Sequence, residues 1–237
     1  MSNSVINGYI VKQGEHAFYK MHVAKLASGL DLVLPLHILK GEKDGPTLML
    51  TALSHGDATT GFEVIRQVME QVNLKELSGT IVAVPLQNPL AFEWDWRNTP
   101  QDCYNMNRTY PGTSRGWVTE KMAAVISPLC DYADALIDWH GGGYGDAINY
   151  VLSKLGPAEV GTDILADKIQ HMACTYGLEF MYGGKPAGPD AAYAGTLSDY
   201  MITRGKPAIV AEVGTGDPAV HDKIVPMSVR GVFNVMK

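Results

Sequence analysis

The sequence predicts a single α/β domain in which a mixed, largely parallel twisted sheet is flanked by helices. Residues 47–53 (TLMLTAL) form a continuous apolar run, which is typical of a strand buried on both faces of a sheet. Residues 59–73 place apolar side chains at helical spacing, and residues 80–85 (TIVAVP) form a second apolar strand. The order strand, helix, strand indicates a parallel crossover connection. No internal repeat or composition break divides the chain, so residues 1–237 are expected to form one domain.

Composition and charge argue against several classes of protein. The 237 residues are 46% hydrophobic, enough for a sizeable core, and the formal net charge is −6. A nucleic-acid-binding protein normally carries a basic patch, and no run of Lys or Arg occurs here. No apolar stretch approaches the roughly 18 residues that span a bilayer, and the N-terminus does not have the pattern of a signal peptide. The widely spaced Cys103, Cys130 and Cys174 favour reduced thiols in a cytoplasmic protein.

The other elements follow from the same patterns. Residues 16–23 and 30–39 are extended and partly alternating, which predicts two strands, and Pro35 places the second at a sheet edge or a bulge. Residues 43–46 (KDGP) predict a turn. Beyond residue 117 the sequence predicts, in order, a helix at 118–129, strands at 135–138 and 149–152, helices at 161–176 and 195–204, a strand at 208–213 and a helix at 228–237.

Residues 86–116 form a long segment without clear periodicity. Loops of about thirty residues inside a compact domain are uncommon and are usually functional. This loop is rich in Asn, Arg and aromatic residues, and it contains Arg97 and the adjacent Asn107 and Arg108. Because the planar guanidinium of Arg matches a carboxylate, the loop indicates recognition of an acidic or amino-acid-like substrate. The alternative is that these arginines are solvated or paired with Asp102.

Three polar residues, His55, His140 and Glu212, lie at or near the predicted carboxyl ends of strands, where open α/β sheets form their sites. Two histidines from different strands can hold a divalent metal, most often zinc, and a carboxylate that does not bind the metal can take a proton from its water. The structural alternatives are that each histidine is merely hydrogen-bonded and that Glu212 pairs with an arginine. Asp138, on the same face of its strand as His140, could orient that histidine or bind metal itself.

Taken together, these stretches resemble the succinylglutamate desuccinylase/aspartoacylase family of zinc-dependent deacylases, which are relatives of the zinc carboxypeptidases. The family pattern is a G-x-H-G-[DN]-E turn, a loop of the form N-P…R…D-x-N-R-x-[FY]-P-G, a D-L-H segment and an E-[VL]-G segment. The matching stretches are residues 53–58 (LSHGDA), Asn88 with Pro89, Arg97, residues 105–112 (NMNRTYPG), residues 138–140 (DWH) and residues 211–214 (AEVG). Their order and spacing agree from about residue 30 to the end. The resemblance implies a zinc-carboxypeptidase-like fold.

The resemblance also implies a role for each matching position. One Zn²⁺ ion would polarise an amide carbonyl and activate water for attack on it. The implied roles are zinc ligation by His55 and His140, oxyanion stabilisation by Arg97, binding of the substrate carboxylate by Asn107 and Arg108, and general base then acid catalysis by Glu212.

Two departures from the family pattern matter. The family's third zinc ligand is a Glu three residues after the first histidine, and Ala58 stands at that position. Asp57, the nearest carboxylate, is the predicted replacement ligand. The alternatives are that Asp57 only structures the turn, that Asp138 substitutes, or that the metal is weakly bound or absent. Many family members also carry a small β-rich domain after the catalytic domain, and this sequence is expected to lack it or to be truncated before it.

The sequence therefore predicts a cytoplasmic, metal-dependent hydrolase that cleaves the amide bond of an N-acyl amino acid or a similar small carboxylate. Neither nucleic acid nor membrane is expected as a partner. The rival from another class is a metal-deficient, non-catalytic relative that binds a small carboxylate, and Ala58 favours it. A further rival is a carboxypeptidase or amidase acting on peptides, which would differ in the size of its pocket.

Overall fold

The computed structural model describes residues 3–141, 148–153, 164–182, 194–214 and 221–237. The strands in these ranges are β1 (Asn3–Ile6), β2 (Tyr9–Lys12), β3 (His16–Lys25), β4 (Asp31–Lys40), β5 (Lys43–Thr51), β6 (Ser78–Val84), β7 (Ala135–His140), β8 (Ile148–Ser153), β9 (Glu179–Tyr182) and β10 (Ala208–Gly214). The α-helices are α1 (Thr60–Gln71), α2 (Pro89–Glu93), α3 (Val118–Ile126), α4 (Ile164–Tyr176), α5 (Leu197–Ile202) and α6 (His221–Val235), with 3-10 helices at Met106–Arg108 and Ser127–Asp131.

Eight strands form one mixed sheet in the order β3-β4-β6-β5-β7-β10-β8-β9, and β1 and β2 form a separate hairpin. The four central strands, β6, β5, β7 and β10, are mutually parallel. Strands β3, β4 and β8 join antiparallel neighbours toward the two edges. The predicted fold class, a single α/β domain with a mixed and largely parallel sheet, is confirmed. This arrangement brings the carboxyl ends of β5, β7 and β10 to one edge of the sheet.

The burial pattern of β4 shows how this strand fits into the sheet. Its side chains alternate between buried and half-exposed along most of the strand and are all buried at the end, over residues 38–40. That end is where β4 pairs with β6, through residues 37–40, while the earlier part pairs only with β3. Pro35 lies in this earlier part, so its missing N–H breaks no hydrogen bond of a central strand. The predicted edge position of Pro35 is therefore local rather than a property of the whole strand.

Several element boundaries differ from the sequence prediction. Residues 43–46, predicted as a turn, belong to β5, where the pairing with β6 shifts register between Lys43 and Thr47. The 86–116 loop contains α2 and the 3-10 helix Met106–Arg108, which are too short to produce a periodic signal. Strands β1, β2 and β9 were not predicted because each is only four residues long. Residues 161–163 of the helix predicted at 161–176 lie outside the described residues.

The two faces of β7 have different environments. Trp139 packs against α1, where a Cβ on Gly61 would lie 2.2 Å from the Trp139 Cβ, and its indole N–H donates to Tyr176 of α4 at 3.0 Å. Since side chains alternate along a strand, Asp138 and His140 face the opposite side. Helix α6 packs against both α1 and α4, so these three helices cover the Trp139 face. None of the helices within the described ranges is long and apolar enough to cross a membrane.

Candidate active site

A cavity of about 160 Å³ lies at the carboxyl ends of the central strands. The residues lining it are His55, Arg97, Asn107, Arg108, His140, Gly141, Leu152, Thr196, Val210 and Glu212. Six of the seven site residues predicted from the sequence are therefore brought together around one space. The seventh, Asp57, is not among the lining residues.

The turn that carries His55 is joined directly to the arginine-bearing loop. Leu53 has a φ of +56°, an uncommon left-handed conformation for a non-glycine residue, and the chain turns there after β5. The Gly56 amide donates to the Trp96 carbonyl at 3.0 Å. A Cβ on Gly56 would lie 2.2 Å from the backbone of α2, so only glycine allows this approach. The contact places Arg97, the next residue in the loop, beside His55.

His55 is a buried, neutral histidine. It is 4% exposed, and its Nε2 lies 2.9 Å from the Asn105 Oδ1 atom, which also accepts the Asn107 backbone N–H at 3.0 Å. Because an amide oxygen only accepts hydrogen bonds, Nε2 carries the ring proton and Nδ1 keeps its lone pair. Burial, followed by the nearby charges of His140 and Arg97, lowers the pKa of His55 to about 3. The ring is thus in the state that a metal ligand requires.

His140 is held by a fully buried carboxylate. Asp138 Oδ2 lies 2.9 Å from His140 Nε2, while Asp138 Oδ1 accepts from the Thr51 hydroxyl at 2.7 Å and from Gln87 Nε2 at 3.1 Å. The His55 and His140 rings have centroids 5.2 Å apart. Both oxygens of Asp138 are thus occupied by protein donors. This geometry favours the interpretation in which Asp138 orients His140 over the one in which it binds metal.

The 86–116 loop is held in place by its own polar side chains. The Asn88 side chain accepts from the Ala91 amide at 3.1 Å, which caps α2, and donates to the Thr99 hydroxyl at 2.9 Å. Asp102 accepts from both the amide and the hydroxyl of Thr119, at 2.8 and 2.7 Å. Within the described ranges no ion pair joins Asp102 to an arginine. The alternative in which Asp102 pairs with the loop arginines is therefore not supported, and Asp102 instead binds Thr119.

The end of this loop is joined to the start of α5. A Cβ on Gly195 would lie 2.3 Å from the Arg108 carbonyl oxygen, and the Tyr110 amide donates to the Gly195 carbonyl at 2.9 Å. Thr196 follows, is 1% exposed, and caps α5 by accepting from the Asp199 amide at 3.2 Å. The close approach therefore puts Thr196 next to Arg108 in the cavity lining.

Glu212 enters the cavity from β10. The register pairs it with His140 of β7 on one side and with Tyr150 of β8 on the other. Two residues earlier, Val210 is paired with Leu152 of β8, and both line the cavity. Because residues 210 and 212 lie on the same face of the strand, the carboxylate stands next to a small apolar patch. Among the described side chains Glu212 forms no ion pair, which weakens the structural alternative for it.

The residues after His55 supply no obvious third metal ligand. Ala58 is 3% exposed and lies beside Gly141, where an added Cβ would be 3.7 Å from the Ala58 Cβ. Asp57 is 9% exposed, and its Oδ1 has no hydrogen-bond partner among the described residues. Over that part of the chain no group of three or more His, Cys, Asp and Glu side chains could hold a metal ion. Two histidines suit a metal, and ligation by Asp57 stays a prediction.

Several residues around the site were not assigned roles from the sequence. Those that bond to the histidines, support Asp138 or line the cavity are Thr51, Gln87, Asn105, Tyr110, Leu152, Thr196 and Val210. Thr51 carries a usable signal, since it is a polar residue inside an apolar run. The others depend on contacts between segments far apart in sequence, and a single sequence does not contain those contacts.

Comparison with known proteins identifies the family of this chain. Residues 44–237 match the family model described as the succinylglutamate desuccinylase/aspartoacylase catalytic domain. The N-α-acetyl-L-2,4-diaminobutyric acid deacetylase of Halomonas elongata is 31% identical over 232 residues, covering 94% of this chain. The chain spans only 63% of the length of that curated relative.

Solved structures show the same fold. A succinylglutamate desuccinylase/aspartoacylase from Rhodobacter sphaeroides superposes with a TM-score of 0.79 at 21% identity, covering 96% of this chain and 67% of the other. The product-bound ectoine utilization protein EutE (DoeB) from Ruegeria pomeroyi superposes with a TM-score of 0.78 at 23% identity, covering 93% and 65%. On the strength of the family match over most of its length, this chain belongs to the succinylglutamate desuccinylase/aspartoacylase family.

Proposed function

We propose that this protein is a metal-dependent hydrolase that cleaves the amide bond of a small N-acyl amino acid or a related carboxylate. The observation that carries the proposal is the convergence of two buried histidines, one carboxylate and two arginines on one cavity of about 160 Å³. A relative that is 31% identical deacetylates an N-acetylated amino acid, which supports the same class of reaction here. A cavity of this size favours a small molecule over a peptide.

The loop residues would bind and polarise the substrate. Asn107 and Arg108, in the 3-10 helix Met106–Arg108, both line the cavity. Arg108 Nη1 donates to the Asn107 carbonyl at 2.6 Å, which restrains the guanidinium. A guanidinium binds a carboxylate through two parallel hydrogen bonds, so Arg108 would hold the substrate carboxylate. Arg97 lines the cavity near His55 and would stabilise the oxyanion that forms when the carbonyl is attacked.

Glu212 would move the proton. As general base it takes a proton from water while the water oxygen bonds to the acyl carbon. It then returns that proton to the amide nitrogen as the C–N bond breaks, so the products are a carboxylic acid and an amine. The apolar neighbours Val210 and Leu152 would receive the hydrocarbon part of a short acyl group.

The residues present fit a metal ion in part. His55 and His140 would hold a single Zn²⁺ ion through Nδ1, since Asn105 and Asp138 engage the Nε2 atoms. The buried Asp57 carboxylate oxygen, which has no partner among the described residues, is our candidate for a third ligand. When bound, such an ion would supply Lewis-acid polarisation of the carbonyl and a lowered pKa of bound water.

Replacement of Glu212 by Gln tests the proposal. We expect kcat for hydrolysis of N-α-acetyl-L-2,4-diaminobutyrate or N-succinylglutamate to fall by about 10²–10⁴-fold, because a neutral amide accepts no proton. The matched control is Glu179→Gln, the same change at an exposed position on β9 outside the cavity lining. Equal turnover in wild type and Glu212→Gln would remove Glu212 from the mechanism. Failure of the wild type on both substrates would leave the alternative described next.

The incomplete set of metal-binding side chains favours one alternative function, a non-catalytic protein that binds a small carboxylate. Its basis is Ala58, which contributes no metal ligand next to His55. Elemental analysis of the wild type and of Ala58→Glu separates the two functions. Stoichiometric zinc in the wild type supports the hydrolase. Zinc that appears only in Ala58→Glu supports the binding protein.

We place the reaction in the cytoplasm. The three cysteines form no disulfide in the structure, and Cys103 and Cys174 are exposed, as expected of thiols in a reducing compartment.

A further inference from the structure

A buried chain of hydrogen bonds runs from the loop to His140. The Tyr110 hydroxyl donates to Gln87 Oε1, and Gln87 Nε2 donates to Asp138 Oδ1 at 3.1 Å. The Thr51 hydroxyl donates to the same Asp138 oxygen at 2.7 Å, and the other oxygen faces His140 Nε2 at 2.9 Å. Thr51, Gln87 and Asp138 are fully buried and Tyr110 is 5% exposed. Without bulk water, each group keeps the partner that its polarity requires.

Tyr110 determines which group donates in each hydrogen bond of this series. Burial, followed by the charge of Asp138, raises the pKa of Tyr110 well above its usual range, so the phenol stays protonated. With the Tyr110 hydroxyl donating to its oxygen, the Gln87 amide turns its nitrogen toward Asp138. Thr51 adds a second donor at the same carboxylate oxygen. The Oδ1 atom of Asp138 is thereby saturated, and Oδ2 is left for His140.

This arrangement decides which nitrogen of His140 carries the proton. An ionised carboxylate only accepts hydrogen bonds, so a neutral His140 ring must donate from Nε2, which leaves the lone pair on Nδ1. Asn107 Nδ2 also lies 3.1 Å from Nε2, but an amide can present either its oxygen or its nitrogen there, so Asn107 does not select the tautomer.

We propose that Gln87 and Thr51, with Tyr110 behind them, are positioning residues that hold the Asp138 side chain so that its Oδ2 atom accepts the Nε2–H proton of His140. They do so by donating to Asp138 Oδ1, which fixes the orientation of the carboxylate. The proposal rests on the proposed function, because a lone pair on Nδ1 is what the reaction needs from this ring. It also couples the loop that carries Arg108 to the chemical state of a histidine on the sheet, since Tyr110 and Arg108 belong to the same loop.

The first test requires no variant. The 237-residue chain, labelled with ¹⁵N-histidine and dialysed against a chelator, is examined by NMR at about pH 9, well above the ordinary histidine pKa of about 6.5. The ring nitrogens of His140 are assigned by their loss in His140→Gln. We expect the protonated nitrogen to be Nε2 in the great majority of molecules. A predominantly Nδ1–H ring in the wild type overturns the proposal.

The second test reverses the tautomer. In Asp138→Asn the donors Thr51 and Gln87 hold the new amide oxygen at the Oδ1 position, so the amide nitrogen occupies the Oδ2 position. That nitrogen donates to His140 Nε2, and the ring proton must move to Nδ1. We expect the His140 signal to change from Nε2–H to Nδ1–H. Retention of Nε2–H in this variant contradicts the claim that the two donors orient residue 138.

The third test restores the tautomer by exchanging the two groups. In the double variant Gln87→Glu, Asp138→Asn, the total charge is unchanged and both substitutions are nearly isosteric. The new carboxylate at position 87 accepts from Tyr110 and from the amide nitrogen at position 138, and the Thr51 hydroxyl can accept from that nitrogen as well. The amide oxygen then faces His140, and we expect the ring to return to Nε2–H. A ring that stays Nδ1–H removes Gln87 from the positioning role.

Two controls distinguish a specific change in the hydrogen bonds of Asp138 from general damage to the structure. Tyr176→Phe removes another buried hydroxyl next to β7, but on the Trp139 face, and it should leave the His140 tautomer unchanged. The ring of His55, held by Asn105, is an internal reference that should stay Nε2–H throughout. The tautomer is read without metal or substrate, so an inactive wild type with the expected tautomers contradicts the proposed function alone. An active wild type with the wrong tautomer contradicts this proposal alone.

Discussion

Within the described part of the chain, two pairs of histidines have their rings at the same distance but in different environments. The rings of His16 and His37 have centroids 5.2 Å apart, as do those of His55 and His140. In the first pair, on β3 and β4, the rings bond to each other, with 3.0 Å between His16 Nε2 and His37 Nδ1. In the second pair each ring is 4% exposed and bonds through Nε2 to a separate acceptor.

This difference shows that proximity alone does not create a site. In the pair His16 and His37, one ring uses the lone pair of the other, and the environment is partly solvated. In the pair His55 and His140, outside acceptors take the ring protons, so the Nδ1 atom of each neutral ring is unprotonated. The acceptors Asn105 and Asp138 are therefore as much a part of the site as the histidines.

The largest expected difference between the pairs concerns activity. We expect His140→Gln to lower kcat/KM by more than about 100-fold, because the loss of the proposed metal ligand should exceed the 10–100-fold effect typical of residues that support a ligand. The matched change His37→Gln, on the other pair, should alter kcat/KM by less than about twofold. Steady-state kinetics on one substrate measures both. Similar losses in the two variants would mean that the buried pair has no special role.

The second expected difference concerns stability in acid. The pKa of His55 is lowered to about 3 in the folded protein, mainly by burial, against about 6.5 when unfolded. The unfolded chain therefore takes up the proton first. The stability contributed by neutral His55 is complete above about pH 6.5 and is lost as the pH falls toward 3. By linkage, the loss is about 2 kcal/mol between neutral pH and pH 5.

Urea unfolding of the chelator-treated protein from pH 8 to pH 5 measures this effect, and His55→Asn should flatten the curve. Burial also lowers the pKa values of His16 and His37, but these rings are partly solvated, so His16→Asn should change the curve less. A pH dependence that is unaffected by His55→Asn would rule out His55 as its source.

The smallest of the three effects concerns the acceptor of His55. Asn105→Ala removes the oxygen that holds Nε2, so the ring can rotate and exchange tautomers. We expect activity to fall by about tenfold, at the lower end of the range for residues that support a ligand. The control is Asn98→Ala, an asparagine of the same loop whose side chain donates to the Cys103 carbonyl at 3.3 Å and does not line the cavity. Equal losses of activity in Asn105→Ala and Asn98→Ala would mean that Asn105 contributes only to the folding of the loop.

The candidate catalytic side chains were more predictable than the residues that hold them in place. His55, His140 and Glu212 follow or end apolar strands, and parallel strands bring such positions to one edge, so their convergence could be expected from sequence order. Arg97, Asn107 and Arg108 were identified because they lie in a long loop rich in Asn and Arg and because their positions match the family pattern. Asp57 was predicted from nearness in sequence, and nearness in sequence did not place it in the cavity lining.

The sequence by itself determined the order of the longer strands and helices and which polar residues lie at or near the ends of the central strands. These properties depend on local periodicity and on the hydrophobic effect, and both can be read along one chain. Only the tertiary structure decided that Asn105 holds His55, that Thr51 and Gln87 saturate Asp138, and that Tyr110 lies behind them. Hydrogen-bond partners are selected by position and direction within a few tenths of an ångström, and residues as far apart in sequence as Thr51 and Asp138 meet only when the sheet has formed.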